Sequence, residues 1–213
     1  MQRLIIVGAG GFGRETAWLV EEINRAAVDA GGDAAYKLLG FLDDDAKLAG
    51  SVWGDVPVLG TVDRWREYTV ASFVFAIADP GIKRRLAGEM AGVAFVTLVH
   101  PRAEVAPSAV LGEGCIVQAG CVVSTNVVLG AHAGLNPQCG IGHDATVGAY
   151  STMYWNVSLA GFVQVGSGCL LGSKTCVIQG LRLGDGVRTG AGAVVIRDLP
   201  DGCTAVGVPA VYK

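Results

Sequence analysis

From Ala103 to Val195 an aliphatic residue recurs every six positions. Beginning at Val105, the row runs through Leu111, Val117, Val123 and Leu129 to Val195, and the sixteen slots never slip. Only Met153 and Thr189 depart from Leu, Ile or Val. Glycine often follows the aliphatic, as at Gly112, Gly130, Gly142 and Gly148, and a small or slender residue comes four positions after it, as at Ala109, Cys115, Cys121 and Val127. An amphipathic helix repeats near 3.6 residues and a half-buried strand near 2, so a strict period of six fits neither. It predicts a solenoid in which short strands form the flat sides of a prism and stacked coils share one core. On this reading the small residue suits a tight corner, and the glycine supplies backbone angles that bulkier residues resist.

The first hundred residues follow another pattern. Leu4 to Val7 reads as a buried strand, Gly8 to Gly13 as a glycine turn of the form G-x-G-x-x-G, and Ala17, Leu19, Val20 and Ile23 as one face of a helix. Strands are expected at 38–42, 72–77 and 94–99, with a short strand or turn at 57–60 and helices over 61–68 and 83–90. This alternation predicts a small parallel α/β unit. His100-Pro101 marks its end, because proline biases its predecessor away from helix. The expected division is a Rossmann-like domain over 1–100 and a solenoid over 101–213. The glycine turn either brings backbone amides and a helix N-terminus to a phosphate or only packs helix closely on sheet. Asp43, Asp44 and Asp45 end the second strand about thirty residues on, favouring nucleotide contact, but the unit is half the size of a dinucleotide-binding fold.

Composition narrows the classes. Hydrophobic residues make up 51% and charged residues 16%, as one continuous core requires. A net charge of −3 leaves no basic surplus for nucleic acid. No apolar run approaches the ~20 residues of a membrane helix, and the opening strand and glycine turn carry no signal-peptide cleavage site. Cys115, Cys121, Cys139 and Cys169 occupy the small slot of the repeat and read as buried hydrophobes, which implies a reducing, cytoplasmic setting. No cysteine pair has zinc-knuckle spacing, and no metal is expected.

In order and spacing, several segments together resemble the bacterial sugar O- and N-acyltransferases of the left-handed β-helix (hexapeptide repeat) superfamily. They are VGAGGFGRE at the start, GFLDDD at 40–45, FAIADPGIKRRL at 75–86, VHPRAEVAPSAVLGEG at 99–114, IGHDATVG at 141–148 and VGVPA at 206–210. Nucleotide-linked amino-sugar N-acetyltransferases and sialic-acid O-acetyltransferases are nearest in pattern. The resemblance implies left-handed coils, a homotrimer, a nucleotide-sugar on the α/β domain and acetyl-CoA between adjacent subunits.

Acyl transfer to an amine needs a base for the proton and donors for the developing oxyanion. A histidine, ordinarily with a pKa near ~6.5, supplies neutral imidazole at cytoplasmic pH. His143 is the candidate, and the resemblance gives Asp144 the role of orienting it. By the same resemblance the Gly161 N–H meets the oxyanion, and Asn136 lies near the reacting amine. An asparagine ladder at a corner is the other reading of Asn136. Gly161, Ala191 and Gly192 are expected along the pantetheine arm of CoA. The nucleotide-sugar falls to Gly8, Ala9, Gly10 and Gly11, with Asp43 and Asp44 at base or ribose. Lys83 and Arg84 either meet the phosphates or form an ordinary charged helix face. Relatives often carry histidine where this chain has Thr152, and Thr152-Met153-Tyr154-Trp155-Asn156 is expected to reshape the acceptor or acyl pocket. Acylation of a sugar hydroxyl such as that of sialic acid, another acyl group, a non-catalytic trimeric scaffold, a zinc enzyme using the three histidines and a dehydrogenase are the alternatives.

Overall fold

The computed structural model describes residues 1–212 as two packed units. In the first, β1 (Gln2–Val7), β2 (Tyr36–Leu42), β4 (Val56–Gly60) and β5 (Ser72–Phe75) form a parallel sheet in the order β4-β2-β1-β5, and β3 (Val52–Trp53) pairs antiparallel with β4. Helix α1 (Gly11–Asp29) covers one sheet face through Ala17, Leu19 and Val20, against Leu4 and Ile6. Helix α2 (Pro80–Glu89) puts Leu86 on the other face, with Ile5, Val7, Phe73 and Phe75. Asp79 caps α2 by accepting from the Ile82 N–H at 2.9 Å, and Pro80 fills the first turn, where no amide donor is needed.

Two expected elements differ. Residues 62–67 form a 3-10 helix, and the strand expected over 94–99 is divided. Phe95 bridges Phe73 at the edge of the first sheet, whereas β6 (Leu98–Val99) pairs with Ile116–Val117 as the first rung of the solenoid. Leu98 and Ile116 point out from that rung into the α1 core, so the chain changes sheets to satisfy both units.

Every aliphatic slot of the repeat is the second residue of a two-residue parallel strand, and strands stack on partners eighteen residues away, as Val123 does on Ile141. Three flat faces result. The first begins with β6 and Ile116–Val117, the second with Glu104–Val105 and Val122–Val123, the third with Val110–Leu111 and Val128–Leu129. The aliphatic row fills the interior together with the small-slot residues Cys115, Cys121, Ala133, Cys139 and Cys169. Their thiols also hold adjacent coils: Cys115 donates to the Gly130 carbonyl at 3.2 Å and Cys139 to that of Tyr154 at 3.1 Å.

The glycines that follow the aliphatics have a different purpose from the one expected. Left-handed backbone occurs two residues later, at Asn126, His132, Gln138, Asp144, Tyr150 and Asn156, among others. At Gly130 a Cβ would instead lie 2.5 Å from the Ala149 nitrogen of the next coil. Interstrand spacing of about 4.8 Å leaves no room for a methyl directed along the stack. Gly130→Ala should therefore cost about 1–3 kcal/mol by overpacking, visible as a lower urea midpoint. An unchanged midpoint would show that the coils can part.

The first unit packs on face one and on the edge between faces three and one. Lys83 of α2 is buried there, donating to the His132 carbonyl and to Thr152 Oγ1, each at 2.9 Å, while Thr152 Oγ1 donates to the Ala78 carbonyl at 3.0 Å. Phe75, Phe95, His132 and Tyr150 close around this contact as a run of rings with centroids 4.7 to 5.4 Å apart. Burial pushes the Lys83 ammonium down to about 7, and burial with the nearby Lys83 charge pushes His132 down to about 4. Among the described residues, no helix is long and apolar enough to cross a membrane.

Candidate active site

His143 stands at the edge between faces two and three, opposite the face that carries the first unit. The turn after Ile141 puts it outside the aliphatic row, half exposed, with Asp144 in the left-handed conformation (φ 58°) beside it. His143 Nδ1 lies 2.8 Å from Asp144 Oδ2. The other carboxylate oxygen, Oδ1, accepts from Asn126 Nδ2 at 3.0 Å, and the Asn126 N–H donates to Ser108 Oγ at 3.0 Å. Asn126 and Asp144 are one coil apart. These hydrogen bonds, first that of Asn126 and then that of His143, hold the Asp144 carboxyl below its ordinary range. A carboxylate fixed in this way accepts a hydrogen bond from Nδ1–H, which keeps the proton on Nδ1 and leaves Nε2 as the acceptor. Asn126 escaped the sequence reading; an offset of eighteen from Asp144 is the signal that finds it.

Gly161, in the next coil at an offset of eighteen, lies against the imidazole of His143. A Cβ there would sit 2.6 Å from both His143 Cε1 and Nε2. Its N–H has no acceptor among the described residues. A base nitrogen and an unused amide donor thus adjoin one surface. Phe162 closes one side, its ring edge-on to His143 with centroids 5.0 Å apart.

The remaining residues assigned from sequence are dispersed. Asn136, Ala191 and Gly192 lie on the edge between faces one and two, so a full face separates them from His143 in the same chain. Asn136 stacks between Gln118 and Tyr154, which removes the asparagine-ladder reading. Its Oδ1 is buried without a partner. Tyr154 and Trp155 share that edge, one face away from His143 in their own chain. His100, His132 and His143 stand on three different edges, which separates them too widely to hold one zinc ion in one chain.

In the first unit, a cleft of about 330 Å³ is lined by Gly8, Asp43, Asp44, Ile82 and Arg85, among others. Gly10 and Gly11 are exposed, with open space where a side chain would be, and no acidic residue occupies the first turn of α1. The helix start is therefore free to meet an anion. Asp43 spends both carboxylate oxygens on the backbone, accepting from the Ala9 N–H at 2.7 Å and the Asp45 N–H at 2.8 Å, and so shapes the turn. Asp44 accepts from the Val62 N–H at 2.8 Å through Oδ1. Lys83 and Arg84 do not reach this cleft. Lys83 is held between the units, and Arg84 lies over the Tyr150 ring, 5.6 Å from its centroid. Arg85 is the cation that does, because successive helical residues point about 100° apart and α2 buries Lys83 and Leu86.

Comparison with known proteins agrees with both halves. Residues 3–90 match the PglD N-terminal domain, and residues 102–125 and 162–197 match the hexapeptide repeat of succinyl-transferase. The acetyltransferase domain of PglB from Neisseria gonorrhoeae is 32% identical, with a TM-score of 0.87 over 100% of both chains. A histidine-to-alanine mutant of GDP-perosamine N-acetyl transferase from Caulobacter crescentus, in complex with CoA and GDP-perosamine, is 32% identical with a TM-score of 0.86 over 100% of this chain and 97% of that one. UDP-N-acetylbacillosamine N-acetyltransferase of Bacillus subtilis is 32% identical over 118 residues, 53% of this chain and 50% of that protein. The chain spans 26 to 50% of the length of the first curated relatives it matches. With full-length likeness to solved acetyltransferases and the repeat in register throughout, the chain belongs to the hexapeptide-repeat, left-handed β-helix superfamily of sugar acyl- and acetyltransferases.

Proposed function

We propose that this protein is an acetyl-CoA-dependent N-acetyltransferase acting on a nucleotide-linked amino sugar. The observation that carries the reading is the Asn126–Asp144–His143 series, with Nε2 placed over Gly161. The neutral amine of the sugar attacks the thioester carbonyl. His143 Nε2 takes the amine proton as the carbon–nitrogen bond forms, and Asp144 stabilises the resulting imidazolium. The Gly161 N–H receives the developing oxyanion. Collapse breaks the carbon–sulfur bond, and the imidazolium returns its proton to the departing CoA thiolate. No covalent enzyme intermediate is needed.

The assembly follows from where the parts lie. The first unit, with its glycine turn, sits on face one, and His143 stands on the edge opposite. A sugar held at that turn reaches the base of a neighbouring chain more readily than its own. A head-to-tail contact between the two kinds of edge also brings Asn136, Ala191 and Gly192 of one chain toward His143 and Gly161 of the next. Such contacts close into rings, and a homotrimer is the ring implied by the sequence resemblance. Six free cysteines, five of them buried, fit a reducing, cytoplasmic setting.

Thiol release from acetyl-CoA, measured with UDP-, dTDP- and GDP-linked amino sugars and with sialic acid, tests the reaction. Turnover with an amino-sugar nucleotide is the expected result; turnover with sialic acid alone would move the reaction to a hydroxyl. Sedimentation tests the trimer. Within the cleft, Arg85→Ala should raise the acceptor KM about 10-fold or more, as loss of a charge-assisted contact does, with the acetyl-CoA KM unmoved. An unchanged acceptor KM would remove Arg85 from the site.

A further inference from the structure

The segment from Thr152 to Asn156 has no part in the mechanism above. Its most exposed ring, Trp155, stands 44% exposed on the edge between faces one and two. It does not stand alone. Across the boundary between the units, Trp18 of α1 is 55% exposed, and the two indoles border one cleft of about 320 Å³ floored by Ala119 and Pro137. Arg102 and Gln138 complete its lining. Exposed tryptophans bordering a concave, partly polar site mark a surface that takes a ligand with both an apolar face and hydrogen-bonding groups.

The residues that precede Ala119 and Pro137 in the chain belong to a buried polar column on the same edge. His100, Gln118 and Asn136 stack one per coil along the same edge, at 3%, 5% and 6% exposure. Each carries a buried polar atom without a partner: His100 Nε2, Gln118 Nε2 and Asn136 Oδ1. His100 Nδ1 accepts from the Arg102 N–H at 2.9 Å, which puts the imidazole proton on Nε2. These three atoms are buried and do not line the cleft; its polar lining is Gln138, whose amide both donates and accepts, and Arg102, which only donates. An anion would satisfy only donors, whereas hydroxyl groups both donate and accept. A pyranose ring combines those hydroxyls with C–H faces that suit the negative face of an indole.

We propose that the cleft between Trp18 and Trp155 seats the hexose ring of the acceptor, making Trp155 a specificity-determining residue of this chain. Trp18 lies seven residues beyond Gly11, about 10 Å along α1 at the helical rise of 1.5 Å per residue. A ligand with its phosphates over the exposed glycine turn thereby directs its sugar down α1 toward the cleft. The inference rests on the acyl-transfer reading for the identity of the acceptor, but its test does not require turnover.

Binding is measured by calorimetry and by tryptophan emission, for a UDP-, dTDP- or GDP-linked amino sugar against the matching nucleoside diphosphate. The sugar nucleotide should quench emission where the diphosphate, although bound, does not. Trp155→Ala should weaken sugar-nucleotide binding about 10-fold, an effect of the size of one aromatic contact, and leave diphosphate binding in place. Trp155→Phe should restore most of the affinity. Wild-type affinity in Trp155→Ala would overturn the proposal, as would equal quenching by the diphosphate. Loss of the trimer in Trp155→Ala with sugar-dependent binding intact would also overturn it, by assigning Trp155 to the contact between copies. Tryptophan-dependent binding without any thiol release would leave this inference standing and remove the reaction proposed above.

Discussion

His143→Ala should lower kcat by about 10²–10⁴-fold, the contribution usual for a positioned general base, with the KM for acetyl-CoA close to that of the unaltered protein. The ring is half exposed and belongs to no core, so the variant should unfold at an unchanged denaturant concentration. Its partners should follow in order. Asp144→Ala removes the group that fixes the Nδ1 proton and is expected to cost less than loss of the base itself. Asn126→Ala should cost less again, because it removes only one hydrogen bond to that carboxylate. An inverted order, with Asn126→Ala more damaging than Asp144→Ala, would point to a role in folding the edge. Activity of His143→Ala within about 10-fold of the unaltered protein would exclude it as the base.

Loss of the Lys83 side chain should have the largest effect on stability. Lys83→Ala leaves the His132 carbonyl and Thr152 Oγ1 without their donor and opens a cavity between the two units. A cost of about 2–5 kcal/mol follows from cavity formation and unsatisfied polar groups. Lys83→Met keeps the volume without the charge and should cost less. The ammonium also imposes a pH dependence. Its folded pKa, about 7, is below that of the unfolded chain. Between pH 7 and about 10.4, the unfolded chain holds a proton that the folded protein has released. Stability therefore rises with pH across that window, by at most about 1.4 kcal/mol per unit, and is insensitive to this group below it. Cys115 and Asp79 face the ammonium and favour its charged form, which limits the shift and so narrows the window; His132 stays neutral throughout. Urea midpoints of the unaltered protein and Lys83→Met at pH 7 and pH 9 would show the rise only where the lysine is present. Parallel pH dependence in both would place its origin elsewhere.

Much of this was legible in the residues because a solenoid turns sequence distance into contact. A register held for sixteen slots sets which side chains face inward, and an offset of eighteen sets which residues touch. His143, Asp144 and Gly161 were assigned through the family resemblance, and the offset of eighteen places all three on one edge in two adjacent coils. The role of the glycines was misjudged, because the repeat shows where a small residue is needed and not whether the need is conformational or steric. Gly130 and its equivalents are excluded from bearing a side chain by the coil above, while ordinary residues such as Asn126 and Asp144 carry the left-handed backbone.

What the tertiary structure alone decided concerns relations between the units. Lys83, Arg84 and Arg85 are three consecutive cations with equal standing in the sequence. Docking of α2 against both sheet and solenoid buries the first, sets the second over Tyr150 and turns the third to the cleft. Trp18 and Trp155 are likewise brought to one cleft by packing across the boundary, which no periodicity encodes. The repeat by itself determined the prism, its core and which residues stack on the edge that carries His143, because contacts within it are periodic. Which faces are covered, which cation reaches the cleft and where the two tryptophans meet depend on long-range packing between two independent patterns, and that geometry exists only once both have folded.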